Sequence, residues 1–177
     1  MDIWERLIIG RIIDLPWDEF KLSEKIKLSP DEFRLLSLFQ NVTTADARDC
    51  IIDEKMERVI FVVNKGQMGM AIGKGGSNIK QLQNVINKKI ELVEHSDQPI
   101  DFVRNIFNSN MIQDIKITDR PDSSKQVLVV VDSKKKGLVV GKDGRNVDKA
   151  RILAKRYFNI TNVLVISPEQ LIKSEKM

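Results

Sequence analysis

This sequence is poor in the side chains that most often carry chemistry. Its 177 residues include one histidine (His95), one cysteine (Cys50) and one tyrosine (Tyr157). So small a set leaves few nucleophile–base pairs, no Cys/His spacing suited to zinc and no disulfide within the chain. No Gly-x-Ser-x-Gly elbow occurs, and the scattered Asp and Glu define no carboxylate pair. An enzyme is therefore not expected, nor is a cofactor or a metal. A lone cysteine suits an intracellular setting, with Cys50 as a core residue. His95 follows a strand beside Ser96 and Asp97 and reads as a surface turn residue. A long hydrophobic run is missing too: acid stands early in Met1-Asp-Ile-Trp-Glu-Arg6, and Arg11 and Asp14 interrupt the apolar residues that follow. Neither a signal peptide nor a membrane span fits, so a soluble cytoplasmic protein is expected.

What the chain does have is a hydrophobic share of 42%, enough for true cores in one ordinary domain or two small ones. Its formal charge of +4 says little, but the distribution says more. Residues 125–177 carry twelve Lys/Arg against five Asp/Glu, a local +7, which leaves −3 for the rest. Local basic charge fits a polyanionic partner, and a solvated basic helix face fits equally well.

A repeat organises the chain. Shifted by 68 residues, Gly69-Met-Ala-Ile-Gly-Lys-Gly-Gly-Ser-Asn-Ile79 aligns with Gly137-Leu-Val-Val-Gly-Lys-Asp-Gly-Arg-Asn-Val147, with five identities. A long period seen twice points to duplicated domains rather than a solenoid. The β-branched runs Arg58–Val63 and Gln126–Val131 precede the two segments and read as strands. Ile79, Leu82 and Ile86, and likewise Val147, Ala150, Ile152 and Leu153, recur at helical spacing as core-facing stripes, and the helices end near Asn87 and Asn159. Ile90–Val93 and Val163–Ile166 close each unit as strands. Upstream, Ser29-Pro-Asp-Glu32 caps a helix through Phe33, Leu36 and Phe39, and Asp97-Gln-Pro99 opens one through Ile100, Val103 and Phe107. Strands near 45–52 and 112–118 follow, so each unit reads α-β-β-α-α-β, an α+β fold. The expected division is an extension over 1–28, units over 29–95 and 96–168, and a tail over 169–177.

The chemistry sits in the Gly-x-x-Gly loops between the paired helices. Gly66-Gln-Met-Gly69 also matches the pattern, but Lys134 stands opposite Gly66 in the repeat, so that match is incidental. In the first true loop the candidate phosphate-contacting residues are Gly73, Lys74, Gly75, Gly76, Ser77 and Asn78. In the second they are Gly141, Lys142, Asp143, Gly144, Arg145 and Asn146. Glycines let a phosphate approach the backbone, the next helix presents its N–H groups to the anion, and Lys74 and Lys142 add mobile cations. The plainer alternative is a tight helix–helix turn with solvated lysines. A nucleotide-hydrolysing P-loop is excluded, because Met68 and Lys136 replace its first glycine and Gly75 and Asp143 follow the lysines.

These loops in their strand-flanked units resemble the KH family, in its prokaryotic-type (type II) variant, where a helix and strand precede the shared β-α-α-β core. The resemblance implies two tandem domains whose loops grip about four nucleotides of single-stranded RNA each, with bases over an apolar groove. Ile72, Ile79, Val140 and Val147 are the groove candidates, core being the better assignment for each. An aromatic content of 6% suits such a groove better than a base-stacking sheet. Over residues 29–168 the tandem arrangement most resembles the RNA-binding part of the NusA family of transcription factors, in its short archaeal form. That implies binding of nascent RNA to modulate elongation or termination, with RNA polymerase or a transcription complex as a further partner. The polymerase-binding region and OB-fold module of longer relatives have no room here. Trp4, Leu7, Ile8, Ile12 and Trp17 offer an apolar docking element or simply pack on their own domain. A ribosome-associated KH protein binding rRNA and a KH-based protein scaffold are the alternative readings.

Overall fold

The computed structural model of the chain describes residues 26–108, 110–122 and 124–175. The expected apolar docking element at Trp4–Trp17 lies outside these residues. Helix α1 (Pro30–Thr43) begins at a capping box: Ser29 Oγ accepts from Glu32 N–H and Glu32 Oε2 accepts from Ser29 N–H. It leads into strand β1 (Ala47–Asp53), a 3₁₀ turn at Glu54–Met56 and strand β2 (Arg58–Val63), which pairs antiparallel to β1. Short helix α2 (Met68–Ile72), a 3₁₀ loop at Lys74–Gly76 and helix α3 (Ser77–Ile86) carry the chain over to β3 (Lys89–Glu94), parallel to β2. The same order then recurs: α4 (Pro99–Phe107), β4 (Ile112–Asp119), β5 (Lys125–Val131), α5 (Lys136–Val140), a 3₁₀ loop (Lys142–Gly144), α6 (Arg145–Phe158) and β6 (Ile160–Ile166). Each unit has a three-stranded sheet with its second strand in the middle. Asn87 and Asn159 end α3 and α6 in left-handed conformation, as the sequence suggests. Helix α7 (Pro168–Glu175) follows and lies near β5.

The first sheet is covered on both faces, which explains why β2 is apolar without alternation and all six of its residues are buried. Val59, Phe61 and Val63 share one core with Cys50, Phe39, Ala71 and Leu82, where the Phe39 and Phe61 rings stack 4.5 Å apart. Ile51, Ile60, Val62 and Val93 point the other way. They belong to a second, larger core together with Phe102, Val103 and Ile106 of α4 and Val147, Ala150 and Leu153 of α6. The second unit thus uses the back of the first sheet as part of its own core. Each such side chain contributes about 1.5–3 kcal/mol when buried, so the two units stabilise one another rather than sitting as beads on a linker.

Three of the apolar residues expected along the helices are not core: Phe33, Ile100, which is 41% exposed, and Ile152. Phe33 is 64% exposed, since six residues of helix turn it about 240° away from Phe39, and Ile152 lies on the outer side of α6 next to buried Leu153.

Candidate nucleic-acid interface

The two Gly loops are built alike. Gly73 has φ 73° and ψ 168° and Gly141 has φ 77° and ψ 165°, while Gly76 and Gly144 close the loops at φ 76° and 75°. The middle residues match as well: Gly75 sits at φ 61° and Asp143 at φ 55°, both left-handed. Asp tolerates that region better than most residues, so the loop keeps its path despite the substitution. Gly76 N–H donates to Gly73 C=O at 3.0 Å, and Gly144 N–H to Gly141 C=O at 3.1 Å. Lys74, Gly75, Lys142 and Asp143 are exposed at the tips, where an anion can reach them.

The asparagines hold the loops from beneath. Asn78 Nδ2 donates to Met70 C=O at 2.8 Å and Asn146 Nδ2 to Val139 C=O at 3.1 Å, tying the start of the second helix to the short first one. The same side chains crowd the first glycine, since a Cβ on Gly73 would lie 2.7 Å from Asn78 Cγ and one on Gly141 2.8 Å from Asn146 Nδ2. A Cβ on Gly75 or Gly76 would meet open space. Gly73→Ala is therefore expected to cost about 1–3 kcal/mol for its backbone conformation, with the Asn78 clash added. Gly75→Ala should cost about 1–2 kcal/mol or less. Urea unfolding of both variants checks the order, and equal losses would refute it.

Of the groove candidates, Val147 is buried, while Ile79 and Val140 are partly buried against the cores. Ile72, assigned to the core from sequence, is 38% exposed, because it is the last residue of a five-residue helix and stands beside the loop rather than beneath it. Met70 and Leu138, equivalent in the repeat, are likewise exposed at 47% and 67%. Each loop thus has an apolar shoulder.

Arg145 has a second engagement. Its Nη2 donates to Glu91 Oε1 in β3 at 2.7 Å, and its backbone C=O accepts from Nη2 of Arg58 at 3.0 Å. Arg58 is fully buried and also binds Asp53 at 2.8 Å and Glu91 at 3.1 Å. Lys149 completes the cluster, 2.8 Å from Glu91 Oε2. Burial alone would raise the Glu91 carboxyl, but Lys149, Arg58 and Arg145 outweigh it and hold the group at about 2, against an ordinary 4.5. At the other end of α6, buried Asp49 accepts from Arg156 at 2.7 and 2.8 Å and from the Tyr157 hydroxyl at 3.1 Å. Sequence reasoning missed these bridges between units. The legible trace was that Arg58 opens one strand and Glu91 interrupts another where the repeat has Gln126 and Leu164.

His95 is not a surface turn residue. Only 9% exposed, it packs between Phe102 and Tyr157, with ring centroids 5.7 and 5.5 Å away, and the Arg48 guanidinium rests on it. Burial, with Arg48 beside it, lowers its pKa and favours the neutral ring. Folding brings α4 and α6 over the strand end and turns the connection inward. Cys50 is core, as expected, and burial pushes its thiol up to about 12, which makes it inert. Among the described residues no group of His, Cys, Asp and Glu could hold a metal ion, and no helix is long and apolar enough to cross a membrane.

Two duplicated β-α-α-β cores with Gly loops define a tandem RNA-binding module, and a KH-domain model matches residues 36–104 and again 98–166. The chain is 31% identical to the probable transcription termination protein NusA of Methanocaldococcus jannaschii, over 86% of this chain and 81% of the relative. It is 33% identical to the protein of that name from Halococcus morrhuae, over 78% of this chain and 97% of the relative. The crystal structure of APE1850 superposes with a TM-score of 0.72 at 37% identity, covering 78% of this chain and all of that one. The chain belongs to the KH-domain family, as a tandem-KH, NusA-like protein.

Proposed function

We propose that this protein binds single-stranded nascent RNA through its two Gly loops and thereby modulates transcription elongation or termination. The family supports the coarser part of this reading: KH domains bind RNA, and the protein is a binding factor rather than an enzyme. The observation that carries the finer part is the repeated loop geometry, with an exposed lysine tip in each unit and the same left-handed backbone even where Asp143 replaces Gly75. In this reading Lys74 and Lys142 meet phosphates, Gly73 and Gly141 keep the backbone open, and Asn78 and Asn146 hold the loops in shape. Ser77 and Arg145, at the first position of α3 and α6, lie next to the bound strand. The site of action is a transcription complex in the cytoplasm, with RNA polymerase as the protein partner.

Because the loops need a flexible backbone with accessible bases, single-stranded RNA should bind more tightly than a perfect duplex of the same length and salt. Titration of both decides it, and equal or tighter duplex binding would sink the reading. Crosslinking in cells tests the role: nascent transcripts joined to Lys74 and Lys142 support it, whereas recovery confined to ribosomal RNA replaces it with the rRNA-binding alternative.

A further inference from the structure

The cluster around Glu91 stands out because none of it is repeated. The strand registers pair Ile60 with Glu91 and Leu128 with Leu164, so Glu91 corresponds to Leu164; by the 68-residue shift Arg58 corresponds to Gln126, Arg145 to Ser77 and Lys149 to Gln81. Charges that occur only where one unit meets the other are not needed to build a KH unit. They act on the junction between units.

What they grip is the residue directly after the second Gly loop. Arg145 opens α6, and its N–H caps the loop by donating to Lys142 C=O. The first sheet holds that residue twice, by Glu91 at its guanidinium and by Arg58 at its carbonyl. Arg58 is itself fixed by Asp53 and is fully buried, so the grip is on a rigid strand rather than on mobile side chains alone. In the first unit Ser77 stands at the corresponding place, with its hydroxyl near Asn78 of its own helix.

We infer that Glu91 is a positioning residue for RNA: through Arg145 it fixes the second Gly loop in register with the first, so that one strand of RNA engages both. The inference rests on the proposed role of the loops in binding RNA. It accounts for a guanidinium beside a phosphate-binding loop being turned to a carboxylate 18% exposed, and for that carboxylate serving three cations at once. Two linked sites whose geometry is fixed gain affinity for a strand long enough to span them, and lose that gain when their relative placement loosens.

The test compares, in the full chain, the affinity for a uridine oligonucleotide of about four nucleotides, which one KH loop holds, with that for one about three times as long. Glu91→Gln removes the carboxylate and makes the protein more basic, so charge alone would tighten binding of both RNAs. The positioning role predicts that the gain from short to long RNA falls by about tenfold, a modest part of the roughly 10²–10⁴ that linked sites can supply. Arg145→Met cuts the link from the other side while leaving Asp53, Arg58, Glu91 and Lys149 paired; because it also removes a cation beside the strand, its lowered gain counts only together with that of Glu91→Gln, which removes no cation. An undiminished gain in Arg145→Met, or a loss of thermal stability in Glu91→Gln with the gain intact below the melting range, overturns the inference. Lys74→Asp and Lys142→Asp serve as loop controls. If they leave both RNAs bound as before, the loop reading itself fails; if they weaken binding while the length-dependent gain survives Glu91→Gln and Arg145→Met, only the positioning role fails.

Discussion

Arg58→Ala is expected to destabilise the protein by about 3–5 kcal/mol, the range for breaking a buried pair by removing one partner. Arg58 has no exposed surface, and its loss leaves Asp53 without its cation and the Arg145 carbonyl without its donor, at 2.8 and 3.0 Å, and takes from Glu91 one of its three cations, at 3.1 Å. By contrast, Lys55→Ala removes a bridge to Asp148 that is short, at 2.9 Å, but has a lysine side chain 75% exposed. Solvent screening limits that bridge to about 0–1 kcal/mol. Urea denaturation of the two variants separates them; a loss below about 1 kcal/mol for Arg58→Ala would show the cluster to be replaceable. Acid should act on the same place. The Glu91 carboxyl is held at about 2 against an ordinary 4.5, so the native state favours its charged form. Its contribution is complete above about pH 4.5 and disappears as pH falls from there towards 2. In Glu91→Gln this part of the acid sensitivity should be gone.

The second large effect is on RNA. Changing Lys74 and Gly75 together to Asp alters the first loop by three units of charge, each worth about 0.7 kcal/mol at 6 Å from a phosphate in water, or roughly a thirtyfold loss of affinity. The variant should fold, because Asp143 already occupies the corresponding left-handed position in the second loop, and a Cβ on Gly75 meets nothing. Neutralising Lys134, Lys135 and Lys136 should act differently, flattening the salt dependence by up to about one unit of slope for each phosphate left without its lysine. Lys136 already binds Gln170 of α7 at 3.1 Å, so Lys134 and Lys135 should account for most of the change. RNA titrations at several salt concentrations read both effects. An unchanged slope would remove the three lysines from the interface.

Some of the basic charge that follows the second loop in the sequence is committed elsewhere. Arg145 and Lys149 hold Glu91, and Arg151 pairs with Asp148 at 3.3 Å. On a linear count these residues form a basic cluster; folded, two of them neutralise an acid from the other unit. Charge along a chain is legible in the sequence, but its partners are not.

The sequence by itself determined the elements of the two units, their order and the loops. Strand and helix periodicities depend on neighbours a few residues apart, helix ends on Ser29, Asn87 and Asn159, and loop conformation on glycines at fixed offsets, so all of this is written locally and written twice. Only the tertiary structure decided how the units meet. Docking α4 and α6 against the back of the first sheet buried Ile60 and Val62, drew His95 inward and joined Arg58 and Glu91 to the end of the second loop. Those interactions join residues up to 108 positions apart, such as Asp49 and Tyr157. Their strength comes from removing apolar area and paired charges from water together, a property of the assembled surfaces that no local pattern carries.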